Sequence, residues 1–211
     1  LILLKPVLPN ICGEIEKQFG KDLTEDMLGK SLEEGDIGKA LIVIKKIENI
    51  DIQKKSPFSM LNLKVAEIKE AREVENSDKL IHMKISLGNE ERSLVAGIKK
   101  HYKTEELTGK NIIVISNLKP AKLAGIRSEG MLLAASNKDD SIVKLLEAPN
   151  SEAGDQVFIE GVSPQEGQIK VEDFFKLKII TKDKKAFYEE KELKTNKETV
   201  IADTEDGLNV G

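Results

Sequence analysis

The clearest hydrophobic patterns along this chain repeat every second residue. Leu61, Leu63 and Val65 alternate with Asn62 and Lys64, and Ile68 follows after a one-residue shift that predicts a β-bulge and a curved strand. Alternation returns from Leu80 to Leu87, with Ile81, Met83 and Ile85 on one face and Leu80, His82 and Lys84 on the other. Gly88-Asn89 predicts a hairpin turn into a third strand, Arg92 to Ala96, which ends at Gly97–Tyr102. Thr104 then opens a short helix that stops at Gly109. Two unbroken apolar runs, Ile112–Ile115 and Met131–Ala134, read as buried strands on either side of an exposed loop. Five short strands with one small helix after the third predict a mainly β protein built on a five-stranded barrel.

Patterns outside the barrel divide the rest of the chain. Ile11, Ile15 and Phe19 form one apolar stripe of a short helix from near Asn10 to Gly20. The polar stretch around Lys54, Lys55, Ser56 and Pro57 predicts a domain boundary. The expected organisation is a helical segment over 1–50, a linker over 51–60, the barrel over 61–148 and a C-terminal appendix over 149–211. In and near that appendix, Ile142–Leu146 and Val157–Ile159 read as strands, separated by the turn Pro149-Asn150 and the Gly154-Asp155 pair. Lys184–Lys191 reads as a helix capped by Asp183, and Thr199–Ala202 as a further strand.

Composition narrows the class. Hydrophobic residues make up 39% and charged residues 33%, as in soluble globular proteins. Apolar runs stop at four or five residues, far below the roughly 20 needed to cross a bilayer, so no membrane partner is expected. One cysteine, Cys12, excludes an intrachain disulfide and fits a reducing, cytoplasmic setting. The net charge of -4 argues against a generally basic nucleic-acid protein, but the distribution of that charge points the other way. Between Arg92 and Arg127 eight basic residues face two acidic ones, a net +6, which leaves -10 for the remainder. Such polarity is the footprint of a local phosphate-binding face. With six Phe, two Tyr and no Trp, stacking rings are scarce.

The loop between the two buried runs carries Lys119, Lys122 and Arg127 with no acid before Glu129, and Pro120, Gly125 and Gly130 shape its backbone. Taken singly, each cation is an ordinary solvated lysine or arginine; three around Pro and Gly form a rigid cationic edge. Read from Asn117 to Ala134, the sequence N-L-K-P-x-K-x-x-G-x-x-S-x-G-M-L-L-A resembles the signature of the tRNA-binding OB-fold family. That family includes the C-terminal domain or β subunit of methionyl-tRNA synthetase, free bacterial tRNA-binding proteins and endothelial-monocyte-activating polypeptide II. Ser77-Asp78-Lys79-Leu80 matches the family's A-D-K-L element, although Glu75-Asn76 replaces the usual His-Pro. The segment L-L-K-P-V-L-P-N and the helix after it resemble the end of the synthetase's anticodon-binding domain, with a departure at Ala40–Ile44. The tail from Lys191 to Glu198 resembles the appendix of the polypeptide group, which packs on the barrel and imitates a dimer interface.

The resemblance implies an OB-fold that binds tRNA by shape and phosphate contacts and delivers it to the catalytic portion of a synthetase, with the OB-fold part monomeric through its pseudo-dimer appendix. Lys119, Lys122 and Arg127 are the first phosphate candidates, with Arg92, Lys99, Lys100 and Lys103 as a supporting field. Asn117 has two candidate jobs, tying the turn after the fourth strand or donating to a base edge or ribose. Ser128 and Met131 match positions that face tRNA in the family, and Met131 is equally a core candidate. Gly125 and Gly130 are backbone necessities. No catalytic, cofactor or metal site is expected. His82 and His101 have no cysteine partner nearby, no P-loop is present, and the H-I-G-H and K-M-S-K-S signatures of class I synthetases are missing. Two rivals stand beside this reading, a peptide-binding secretion-chaperone-like OB-fold protein and a scaffold subunit of a multi-synthetase complex.

Overall fold

The structure, a computed structural model, describes residues 9–19, 22, 24, 56–165 and 167–211. The chain groups into two units, Leu1–Ile52 and Gln53–Gly211. In the first, helix α1 (Pro9–Phe19) buries Cys12 and Glu16, one turn apart, and half-buries Ile15. The rest of the segment that resembles an anticodon-binding domain, and residues 51–55 of the expected linker, lie outside the described residues.

The second unit opens with a 3-10 turn, Pro57–Met60, whose first free N–H, that of Phe58, donates to the Ser56 hydroxyl at 3.3 Å. The barrel then follows in chain order. Its elements are β1 (Leu63–Glu73), β2 (Ile81–Ser86), β3 (Glu91–Ala96), α2 (Thr104–Leu107), β4 (Asn111–Ile115), β5 (Ala121–Leu123), β6 (Ile126–Ser128), β7 (Met131–Leu132) and β8 (Ala134–Ser136). Strands pair antiparallel in the order β3-β2-β1-β4-β7, and β7 and β8 are one fifth strand interrupted at Leu133. The β1–β2 register shifts between Ile68 and Glu70, the expected bulge that bends β1 around the barrel. Closure comes where β3 returns to the β6–β7 corner, with the Glu129 N–H donating to the Ser93 carbonyl at 2.8 Å. The sheet is an OB-fold-like barrel, nearly closed.

The remaining elements are β9 (Val143–Leu145), β10 (Gln156–Val157), α3 (Val171–Phe174), β11 (Ile179–Lys182), β12 (Lys185–Tyr188), β13 (Lys191–Glu192) and β14 (Asn209–Val210). β10 adds to the barrel sheet by pairing with β1, Val157 opposite Leu63, while the other strands build a second sheet in the order β13-β12-β11-β14-β8-β9, so the fifth strand joins the barrel sheet through β7 and the second sheet through β8. β14 joins it with Asn209 opposite Ser136 and Val210 opposite Ala135.

The continuous apolar run of β4 has a simple cause. Ile112 and Val114 face the barrel interior with Ile68, Ile81, Met83, Ile85 and Leu94. Ile113 and Ile115 face outward into another core, shared with Phe58, Leu61, Phe174, Ile179 and Tyr188. A strand buried on both faces has no polar side to alternate with.

Three expectations change. Lys184–Lys191, expected as a helix, is β12, a turn and β13. Asp183 and Lys184 adopt φ of +49° and +59°, which a right-handed helix cannot accommodate, and they form the two-residue turn of the β11–β12 hairpin. Thr199–Ala202 is extended but pairs only through isolated bridges, Lys194 with Thr199 and Glu147 with Ile201 among them. The loop between the fourth and fifth strands is itself a hairpin, β5–β6, separate from the main sheets.

Candidate nucleic-acid interface

The β5–β6 hairpin turns at Ala124 and Gly125, whose φ of +47° and +83° are the signature of a two-residue primed turn. A Cβ on Gly125 would meet no atom within 4 Å, so its requirement is backbone conformation and not space. Gly130 is the opposite case. A Cβ there would stand 2.9 Å from the Ile115 carbonyl oxygen, so glycine lets the chain cross close over β4. Within the hairpin Lys122 sits directly opposite Arg127, a cross-strand pair of like charge. Such pairs are destabilising unless something negative lies over them. Arg127 reaches Glu129 at 3.1 Å while its side chain stays 70% exposed, and Lys122 forms no ion pair among the described residues.

Beneath the hairpin runs a groove of about 960 Å³. Its walls are the end of β3 (Val95–Ile98), the hairpin (Ala121, Leu123, Ser128), β7 and β8 (Met131, Leu132, Ala134, Ser136) and the start of α3 (Val171). Lys79, Lys100, His101, Lys119 and Lys170 line it, facing Asp139, Asp140 and Glu172. A parallel bridge between Leu118 and Ile169 fixes two of these cations. The Lys119 N–H donates to the Ile169 carbonyl and the Ile169 N–H to the Asn117 carbonyl, both at 3.0 Å, so Lys119 and Lys170 leave adjacent positions. Lys79, Lys100, Lys119 and Lys170 form no ion pair among the described residues, and these four lysines share the groove lining with three carboxylates, a small positive excess able to meet phosphates.

The other nominated residues divide by what their polar atoms already do. Asn117 is fully engaged: Oδ1 accepts from the Asn62 N–H at 3.0 Å, and Nδ2 donates to the Met60 and Gly167 carbonyls at 2.9 and 2.8 Å. Both amide hydrogens tie the turn, so none is left for a base or ribose. Arg92 clamps the barrel corner, its Nη1 donating to the Ser116 and Glu129 carbonyls and its Nη2 to Glu90 at 2.7 Å. Ser128 is buried, with its hydroxyl accepting from the Val95 N–H and donating to the Gly130 carbonyl, each at 3.1 Å. Lys99 donates to the Ser77 carbonyl at 3.0 Å and pairs with Glu73 at 2.8 Å, pinning the β1–β2 connection. Lys103 is exposed at the N-cap of α2 and does not line the groove. Met131 is half-buried, packs on the outer core and lines the groove. Pro120 is exposed between Lys119 and the hairpin.

Two groove cations escape the sequence patterns. Lys79 lies in the S-D-K-L element, a signal that was present but weakened by its altered neighbours. Lys170 stands 36 residues beyond the motif's last position, Ala134, where no local pattern points to it. Histidine chemistry lies elsewhere. Burial first, then Arg72 and Lys84, holds the His82 imidazole below its usual range, and its Nδ1 accepts from Arg72 Nε at 3.2 Å. Among the described residues no cluster of His, Cys, Asp or Glu could hold a metal ion, and no helix is long and apolar enough to cross a membrane.

Residues 63–156 match the family described as "Putative tRNA binding domain". The chain is 42% identical over 164 residues to a methionine–tRNA ligase of Caldanaerobacter subterraneus subsp. tengcongensis, covering 65% of this chain and 26% of that one. It is 35% identical over 177 residues to the methionine–tRNA ligase of Methanococcus vannielii, covering 68% and 26%. It therefore spans about a quarter of the length of these relatives. Among solved structures, the C-terminal domain of Plasmodium vivax p43 shares the fold with a TM-score of 0.67 at 24% identity, over 73% of this chain and 98% of that one. Residues 63–156, an OB-fold-like barrel whose motif runs from just after the fourth strand into the fifth, thus match the tRNA-binding domain family.

Proposed function

We propose that the chain is the non-catalytic tRNA-binding part of a methionyl-tRNA synthetase, as its C-terminal portion or β subunit, acting in the cytoplasm. The observation that carries this is the opposed pair Lys122 and Arg127 above a groove edged by Lys79, Lys100, Lys119 and Lys170. The four groove lysines form no ion pair among the described residues and stand against three carboxylates in the same lining, while Arg127 is shared with Glu129. Phosphate and sugar contacts dominate such a surface, with little capacity to read base edges, so it selects folded RNA by shape. Tethered to a catalytic domain, the module raises the local concentration of tRNA without taking part in the chemistry. In this reading the barrel spans 61–148 and the appendix 149–211. The appendix keeps the barrel monomeric by covering the outer faces of β1 and β4, a role supported by the core those strands share with Phe174 and Tyr188.

A second reading has one observation in its favour. The groove also carries Val95, Ile98, Leu132 and Val143, and Leu123 on the hairpin is 41% exposed, which suits an apolar peptide. Titration of bulk tRNA, single-stranded RNA and duplex RNA at two salt concentrations separates the two. Folded tRNA is expected to bind tightest. The Lys119→Ala, Lys122→Ala, Arg127→Ala triple variant is expected to bind it more weakly, with a salt slope shallower by about one unit per lost phosphate contact. Equal, weak binding of all three RNAs by both proteins would remove tRNA as the partner and turn the test to unfolded peptide. The scaffold alternative would place function in residues 1–50, which a pull-down with that segment tests.

A further inference from the structure

Phe175 is 64% exposed, well above Leu123 and Ile201, the other exposed large apolar side chains among the described residues. Its position is fixed from beneath. It caps α3 with its N–H donating to the Val171 carbonyl at 3.2 Å, and its ring centroid lies 5.5 Å from that of Phe174, which is wholly buried in the outer core. A Cβ on Gly211 would stand 3.7 Å from the same ring. Val171 and Gly211 both line the groove, as does Lys170 just before the helix. Phe175 itself does not line the groove; its exposed ring stands beside Gly211 and one helical turn after Val171, both of which do, on the side of the groove that carries Lys170 and Lys119.

Resting on the RNA-binding reading above, we infer that Phe175 is a stacking platform for one unpaired nucleotide of the bound RNA, with Lys119 and Lys170 holding the flanking phosphates. An exposed hydrophobic ring near lysines that form no ion pair is complementary to a nucleotide, which offers an apolar π-face joined to an anion. In a protein with so few aromatics, this site supplies what the barrel face itself lacks, a means of gripping a base without reading its identity.

Phe175→Ala, Phe175→Trp and wild type are compared for affinity toward tRNA, a short single-stranded RNA and a blunt RNA duplex, with melting temperature measured on each protein. Loss of a base stack is expected to weaken tRNA and single-strand binding by roughly tenfold in the alanine variant. Duplex binding and the salt slope should stay unchanged because no phosphate contact is lost. Phe175→Trp should retain wild-type affinity. Wild-type affinity of Phe175→Ala for all three RNAs, or an equal loss for duplex, overturns the inference while the cationic face stands. Failure of the wild type to bind any RNA overturns the reading beneath it as well.

Discussion

The hydroxyl of Ser128 stands where two strands of the barrel meet without a regular ladder bond. It takes the Val95 N–H and passes its own hydrogen to the Gly130 carbonyl. Replacing it with alanine strands a buried donor and a carbonyl. Ser128→Ala is expected to lower stability by about 1–3 kcal/mol, read from the urea midpoint, while tRNA affinity at a temperature where both proteins are folded changes less than about twofold. A large affinity loss with unchanged stability would instead make the hydroxyl an RNA ligand. Asn117 and Arg92 show the same economy, since each ties segments that are distant in the sequence. The motif was legible in the sequence, but which of its polar members face inward was not. A side chain's partners at Met60 and Gly167 are set by the tertiary path, and no local spacing encodes them.

Among the elements, the β5–β6 hairpin is the one whose charge pattern works against its own stability. Lys122→Glu converts the like pair with Arg127 into an attractive one. It should raise the melting temperature by about 1–2 °C while weakening tRNA binding and flattening its salt dependence. Stabilisation without loss of RNA binding would show that the pair's repulsion serves some other end. The strands of the barrel were readable because each has a period-two face or a two-sided apolar run. The segment after Asp183 was not. Its Lys, Ala and Glu content favours helix, but Ala186 and Tyr188 are buried on alternate positions, and the turn before them requires positive φ. Tertiary burial outweighed intrinsic propensity.

At the scale of the whole second unit, two cores share β1, β4 and the β7–β8 strand. One side of those strands fills the barrel, and the other is covered by the segments around Phe58, Phe174, Ile179 and Tyr188. A chain ending after Val162 would bare Ile113, Ile115, Leu133 and Leu146, all fully buried in the intact protein. It is expected to dimerise or precipitate, as size-exclusion chromatography with light scattering would reveal; a soluble, well-folded monomer would sink the covering role.

The pairing of β14 with β8 carries a consequence for how the protein comes into being. The Gly211 N–H donates to the Ala134 carbonyl and the Ala134 N–H to the Gly211 carbonyl, both at 2.9 Å, joining residues 77 positions apart. During synthesis at about 5–20 residues per second, the fifth strand waits several seconds with one edge open before this neighbour emerges. In that interval β8 is a sheet edge without its β14 partner, a state prone to pairing with another nascent chain. The long separation that makes this pairing bind distant segments together also makes its formation slow.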